Sequence, residues 1–258
     1  MERRLLIPSL GSLGQESGFT IATERCSCLR VRTYQAGRVV DVREFPLPGQ
    51  PALTRRWRED WTSLPVAGDE LFTLECEGED PSNSLEGEIL FRTAARTQQV
   101  AVLTNFVPCR PAGFKFGPIL HQAHYNVIDD TCETYVVHTN LVGEHEDPAG
   151  VNRLQIEVRD FAARVLAVEQ RELGFNTTWL LPVRSFARSL GAPVDGGVTL
   201  RLRGGSSQFA IFTAYHRPAS ASIGIEHSLP PIYFTEAPTN PALRARYLAS
   251  AFGDLQRS

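Results

Sequence analysis

His121-Gln122-Ala123-His124 and Glu226-His227 are the two places where imidazole and carboxylate donors gather in this chain. Each follows the same short landmark, Arg110-Pro111-Ala112 before the first and Arg217-Pro218-Ala219 before the second, so both are expected in equivalent loops. His121, His124 and Glu226 supply the donor types of a two-histidine, one-carboxylate metal centre. The spacing argues against it, because residues three apart on a strand face opposite ways and His-x-x-His suits a turn or a helix. Histidines that satisfy loop backbone groups account for the same residues without a metal, and no cofactor is expected. The candidate binding residues are therefore Arg110, His121, His124, Tyr125, Arg217, Glu226, His227 and Tyr233, in two loops spanning Arg110–Tyr125 and Arg217–Tyr233.

Other chemistry finds little support. No Gly-x-Ser-x-Gly occurs, and none of the five cysteines (Cys26, Cys28, Cys76, Cys109, Cys132) has a recognisable catalytic context. Asp129-Asp130 and Glu144/Glu146-Asp147 are adjacent acids in loop-like segments, the usual pattern of solvated surface. Gly204-Gly205-Ser206-Ser207 lacks the lysine and following helix of a phosphate-binding loop. Cupins, which are duplicated metal enzymes in some cases, place histidines as His-x-His with a later glutamate, and that spacing is absent here. Asn176-Thr177-Thr178 fits the glycosylation pattern, which carries meaning only with a secretory signal.

The elements that must position these residues read as strands. Glu86–Phe106 lies on Asp195–Tyr215 without a gap after a shift of 109 positions, with identities at Gly87/Gly196, Arg92/Arg201, Gln99/Gln208, Ala101/Ala210 and Thr104/Thr213. Chance at average composition gives roughly one or two. The expectation is an internal duplication with matching hairpins at 86–106 and 195–215, Gly204-Gly205 making the second turn. Leu29, Val31 and Thr33 alternate with Arg30 and Arg32, and Leu154, Ile156 and Val158 alternate with Gln155, Glu157 and Arg159, each the pattern of a strand with one buried face. Tyr34 and Phe161 precede equivalent turns, and Leu64-Pro65-Val66 and Leu181-Pro182-Val183 form a second shared landmark. Residues 1–18 read as an arm or short edge segment, and Glu75–Glu88 and Arg184–Gly197 as loops.

Trp57 and Trp61, set among Arg55, Arg56 and Arg58, could present a cation–aromatic surface or cap the core; Trp179 near the equivalent place in the second copy favours the core. Only the tail reads as helix: Asn240-Pro241 is a cap and first turn, and Leu243, Tyr247, Leu248, Ala251, Phe252 and Leu255 form one stripe. The fold expected is all-β: two tandem β-sandwich domains, 1–130 and 131–238, from an internal duplication, with a C-terminal amphipathic helix at 239–258.

A hydrophobic fraction of 42% and a net charge of −3 suit a soluble chain and favour neither nucleic acid nor an anionic membrane. No apolar stretch is long enough to span a bilayer, and Leu5-Leu6-Ile7 ends at Pro8, too short for a signal-peptide core, so a cytoplasmic location is expected. An odd cysteine count agrees.

From Thr134 to Ala219 the order of a strand ending in Thr139-Asn140, alternating strands, a Leu-Pro-Val step and paired strands resembles the small all-β sensory rhodopsin transducer proteins. The resemblance implies a soluble binding or signalling module that oligomerises. The function expected is a non-enzymatic binding or assembly protein, with a protein partner, self-assembly or a small ligand held by the two loops and the C-terminal helix. The alternatives are a metal-dependent enzyme with its site between the copies, and a carbohydrate-binding module using Trp57 and Trp61.

Overall fold

The computed structural model describes residues 3–22, 27–46, 52–56, 71–77, 86–93, 99–105, 107–108, 119–122, 131–142, 147, 149–195, 197–204, 208–220 and 222–228. They form an all-β chain of antiparallel strands with one α-helix. Nine strands come from the first half: β1 (Arg3–Pro8), β2 (Gln15–Ala22), β3 (Cys28–Gln35), β4 (Arg38–Pro46), β5 (Ala52–Arg56), β6 (Leu71–Glu77), β7 (Glu86–Thr93), β8 (Gln99–Asn105) and β9 (Val107–Pro108). Then follow β10 (Ile119–Gln122), β11 (Glu133–Leu141), β12 (Val151–Arg159), β13 (Val165–Gly174), β14 (Thr177–Pro182), α1 (Val183–Ser189), β15 (Thr199–Gly204), β16 (Gln208–Arg217) and β17 (Ser222–Ser228).

The first sheet runs β4-β3-β6-β1-β9 and the second β5-β2-β7-β8; the third runs β13-β12-β15-β10 and the fourth β14-β11-β16-β17. Number the strands of each half from its own beginning, and the third sheet repeats 4-3-6-1 and the fourth 5-2-7-8. The hairpins agree in register as well. Arg30 faces Glu44, Val31 faces Arg43 and Thr33 faces Asp41, while Arg153 faces Glu172, Leu154 faces Arg171 and Ile156 faces Glu169. Each hairpin carries an irregularity near its turn, at Thr33/Tyr34 and at Val158/Arg159.

This order corrects the expected strand equivalence. β7 and β8 do pair as a hairpin, but β15 pairs with β10 and β12 whereas β16 pairs with β11 and β17, in a different sheet. Gly204 and Gln208 thus end strands of two sheets, and by order β7 corresponds to β16 and β8 to β17. Period-two alternation is common to every half-buried strand, so a slide by one strand still aligns apolar with apolar. β10 also hydrogen-bonds within the third sheet, on the far side of the boundary expected at 130.

Three other segments differ from their sequence reading. Arg3–Pro8 is an inner strand between β6 and β9, with Leu6 and Ile7 buried. Glu75 belongs to β6 and is 2% exposed. Val183–Ser189 is a helix, entered from Pro182, and buries Val183, Phe186 and Ala187 at helical spacing on the third and fourth sheets' core. The tail at 239–258, Trp57, Trp61 and Leu64-Pro65-Val66 lie outside the described residues.

Two apolar clusters organise the interior. One joins Val136, Leu181 and Ile211 of the fourth sheet to Leu154, Ile156, Val158, Leu200 and Leu202 of the third. The other begins with Ile7, Phe19, Leu29, Val31, Phe72, Ile89 and Phe91 of the first half and takes in Val137, Leu141, Phe212, Ala214 and Ile223. Neighbours along a strand face opposite ways, so β11 gives Val136 to one cluster and Val137 to the other. The fourth sheet is thereby covered on both faces, and its second face is what the first half packs on.

Candidate interaction surface

The structure separates the residues expected in two equivalent loops. His121 is on β10, opposite Leu202 of β15, and Glu226 and His227 are on β17, opposite Thr213 and Phe212. These are strands of the third and fourth sheets, and the order of strands makes β10 the counterpart of β1 and β17 that of β8, so they are not equivalent. Arg217 ends β16 and is exposed, before a 3-10 turn at Pro218–Ser220. Arg110, His124, Tyr125 and Tyr233 lie outside the described residues. Among the described residues no three His, Cys, Asp or Glu side chains are grouped to hold a metal ion.

The titratable groups that are well placed are core groups. His138 is 2% exposed on β11, between Trp179 and Ile211 in register, and burial pulls its imidazole down to about 4. His216 is buried with its ring centroid 6.4 Å from that of Tyr135. Burial lowers the His216 pKa, and burial followed by the Glu133 charge raises that of Tyr135. Each shift favours the neutral form, as a packed interior requires. Asn176 is also interior, at 7% exposure, and its Nδ2 donates to the Gly37 carbonyl at 3.1 Å, so the glycosylation pattern is engaged in a structural contact.

The charged side chains close over the sheets. On the face of the first sheet opposite Leu29 and Val31, Arg30 Nε donates to Glu44 Oε1 at 2.8 Å and Arg32 Nε to Glu75 Oε2 at 3.2 Å. In the third sheet Arg159 pairs with Glu157 at 2.7 Å and Arg201 lies 3.8 Å from the same carboxylate, which is 5% exposed as a residue. A carboxylate flanked by guanidinium groups is satisfied in place.

Among the described residues, the exposed large apolar side chains are confined to a small part of the surface. The large apolar side chains exposed among the described residues are Val39, Val40, Val42, Val151, Phe161, Val165 and Val168. Every one belongs to the β3–β4 or β12–β13 hairpin or to the turn joining the latter. β4 and β13 are the edge strands of their sheets, each paired on one side among the described residues. On their core-facing side each carries an acid and an arginine two residues apart, Asp41 with Arg43 at 2.7 Å and Glu169 with Arg171. This edge surface had a sequence signal, since Val39-Val40 and Val42 stand among Arg38, Asp41, Arg43 and Glu44 on a strand whose partner supplies the buried face.

No protein-family model matches the chain, and no curated protein matches it. Among solved structures it is similar to one described as "putative beta-galactosidase from bacteroides fragilis", with 10% identity and a TM-score of 0.21 over 86% of this chain and 31% of that one. It is also similar to a β-glucuronidase of glycoside hydrolase family 2, with 8% identity and a TM-score of 0.19 over 89% of this chain and 22% of that one. The chain spans less than a third of the length of either, and likeness at such TM-scores leaves function to the chain's own residues.

Proposed function

We propose that the protein works by binding or assembly: a tandem pair of β-sandwiches from an internal duplication, with the equivalent hairpins β3–β4 and β12–β13 as its contact surface. The repeated strand order and the matching register of the two hairpins support the duplication, with the boundary between Pro108 and Ile119. The observation that carries the binding reading is the confinement, among the described residues, of exposed large apolar side chains to those hairpins. Single exposed apolar residues scatter over most protein surfaces, whereas collected ones mark contact sites. Among the described residues both hairpins end in an edge strand, the backbone geometry on which strand addition builds.

Photo-crosslinking from inside cells tests this reading. A photoreactive residue at Val40 or Val168 is expected to give discrete adducts, while the same residue at exposed Arg188 or Asp195 gives none. Equal labelling at all four positions, or none at any, contradicts it.

A further inference from the structure

We infer that the occupant of β4 is a second copy of this chain, docked as an antiparallel strand about a two-fold axis at Val42; the inference rests on the hairpin-edge reading above. Charge fixes the register. With the axis at Val42, Asp41 lies opposite the partner's Arg43, Arg43 opposite the partner's Asp41, and Val42 meets its own counterpart. An axis at Asp41 or at Arg43 sets identical charges against each other, which destabilises a cross-strand pair. In the free chain Arg43 Nε is 2.7 Å from Asp41 Oδ2, with both side chains about a third exposed (34% and 28%). Docking gives Asp41 and Arg43 of each copy an oppositely charged group across the new strand pair.

β13 carries the same acid and arginine flanking Gln170, but it lacks the apolar centre. Val39, Val40 and Val42 are each 46–47% exposed on β4, against Val165 and Val168 on the longer β13. A two-fold pairing of β4 with itself is closed, whereas β4 on β13 of another copy would continue into a filament. The contact is one strand wide, so the dimer forms at high concentration and dissociates on dilution.

Sedimentation velocity of the full chain over a concentration series tests this, with thermal unfolding to show that each variant is folded. Wild type is expected to pass from monomer to dimer. Asp41→Arg is expected to weaken the dimer about tenfold or more, since both cross-strand pairs become repulsive. Adding Arg43→Asp to that variant restores complementarity and is expected to restore the dimer. A wild type that stays monomeric, a dimer indifferent to Asp41→Arg, or one lost instead on Val168→Arg overturns the inference. If the wild type is monomeric while Val40 still crosslinks to another protein, the second copy is wrong and the contact surface stands; if crosslinks are absent too, both fall.

Discussion

His138 occupies the middle of β11 at a position that faces the core between the third and fourth sheets. Its folded pKa of about 4 lies below the ordinary 6.5, so the unfolded chain takes up the proton first as pH falls. Stability contributed by the neutral imidazole is complete above about pH 6.5, declines toward pH 4 and then levels. The difference corresponds to about 3 kcal/mol, and His216 is shifted in the same direction. Denaturant titrations across that range are expected to show the decline, and His138→Leu to flatten it whatever that substitution does to stability at neutral pH. An unchanged slope in the variant would show that His138 is not the group responsible. The sequence places histidines but not their burial: His138 lies in an alternating strand as a core residue does, while His121 and His227, which follow the shared landmarks, are on separate strands.

At the scale of elements, two turns hold the halves to each other. Gly37, in the β3–β4 turn, has φ +78°, and a Cβ there would stand 3.0 Å from the Phe175 carbonyl oxygen. Asn176 answers from the β13–β14 turn with φ 60°, accepting from the Val142 N–H at 3.0 Å while donating to the Gly37 carbonyl. Gly37→Ala meets both a backbone strain and a close contact, and Asn176→Ala removes both side-chain bonds, so each is expected to cost roughly 1–3 kcal/mol. Because the turns couple the same contact, the double variant is expected to lose less than the two single losses together, measured by equilibrium unfolding. Additive losses would mean the turns act independently. The β3–β4 hairpin was visible beforehand through its alternation and the Ala36-Gly37 turn, since local pattern and turn chemistry are both written in neighbouring residues. Its docking partner was not, because Gly37 and Asn176 are 139 residues apart and no local pattern joins them.

For the molecule as a whole, the all-strand composition was visible in the alternating runs, but the strand order shared by the two pairs of sheets was not. The matched segments 86–106 and 195–215 share Arg, Gln, Ala and Thr at strand positions, and such residues recur on successive strands of any half-buried sheet. Sheet membership depends on long-range hydrogen bonding, and a one-strand offset preserves every local signal. The α1 helix was hidden for a related reason: seven residues after a proline show Val183, Phe186 and Ala187 too briefly to stand out from a loop. The described sheets place the four-residue strand β10 at the edge of the third sheet, and it completes that sheet's match in strand order with the first. Amide–amide NOEs in deuterated protein test that correspondence most directly. The account predicts contacts linking Leu120, His121 and Gln122 to Arg203, Leu202 and Arg201. A ladder of contacts joining 199–204 directly to 208–213 as a hairpin would contradict it.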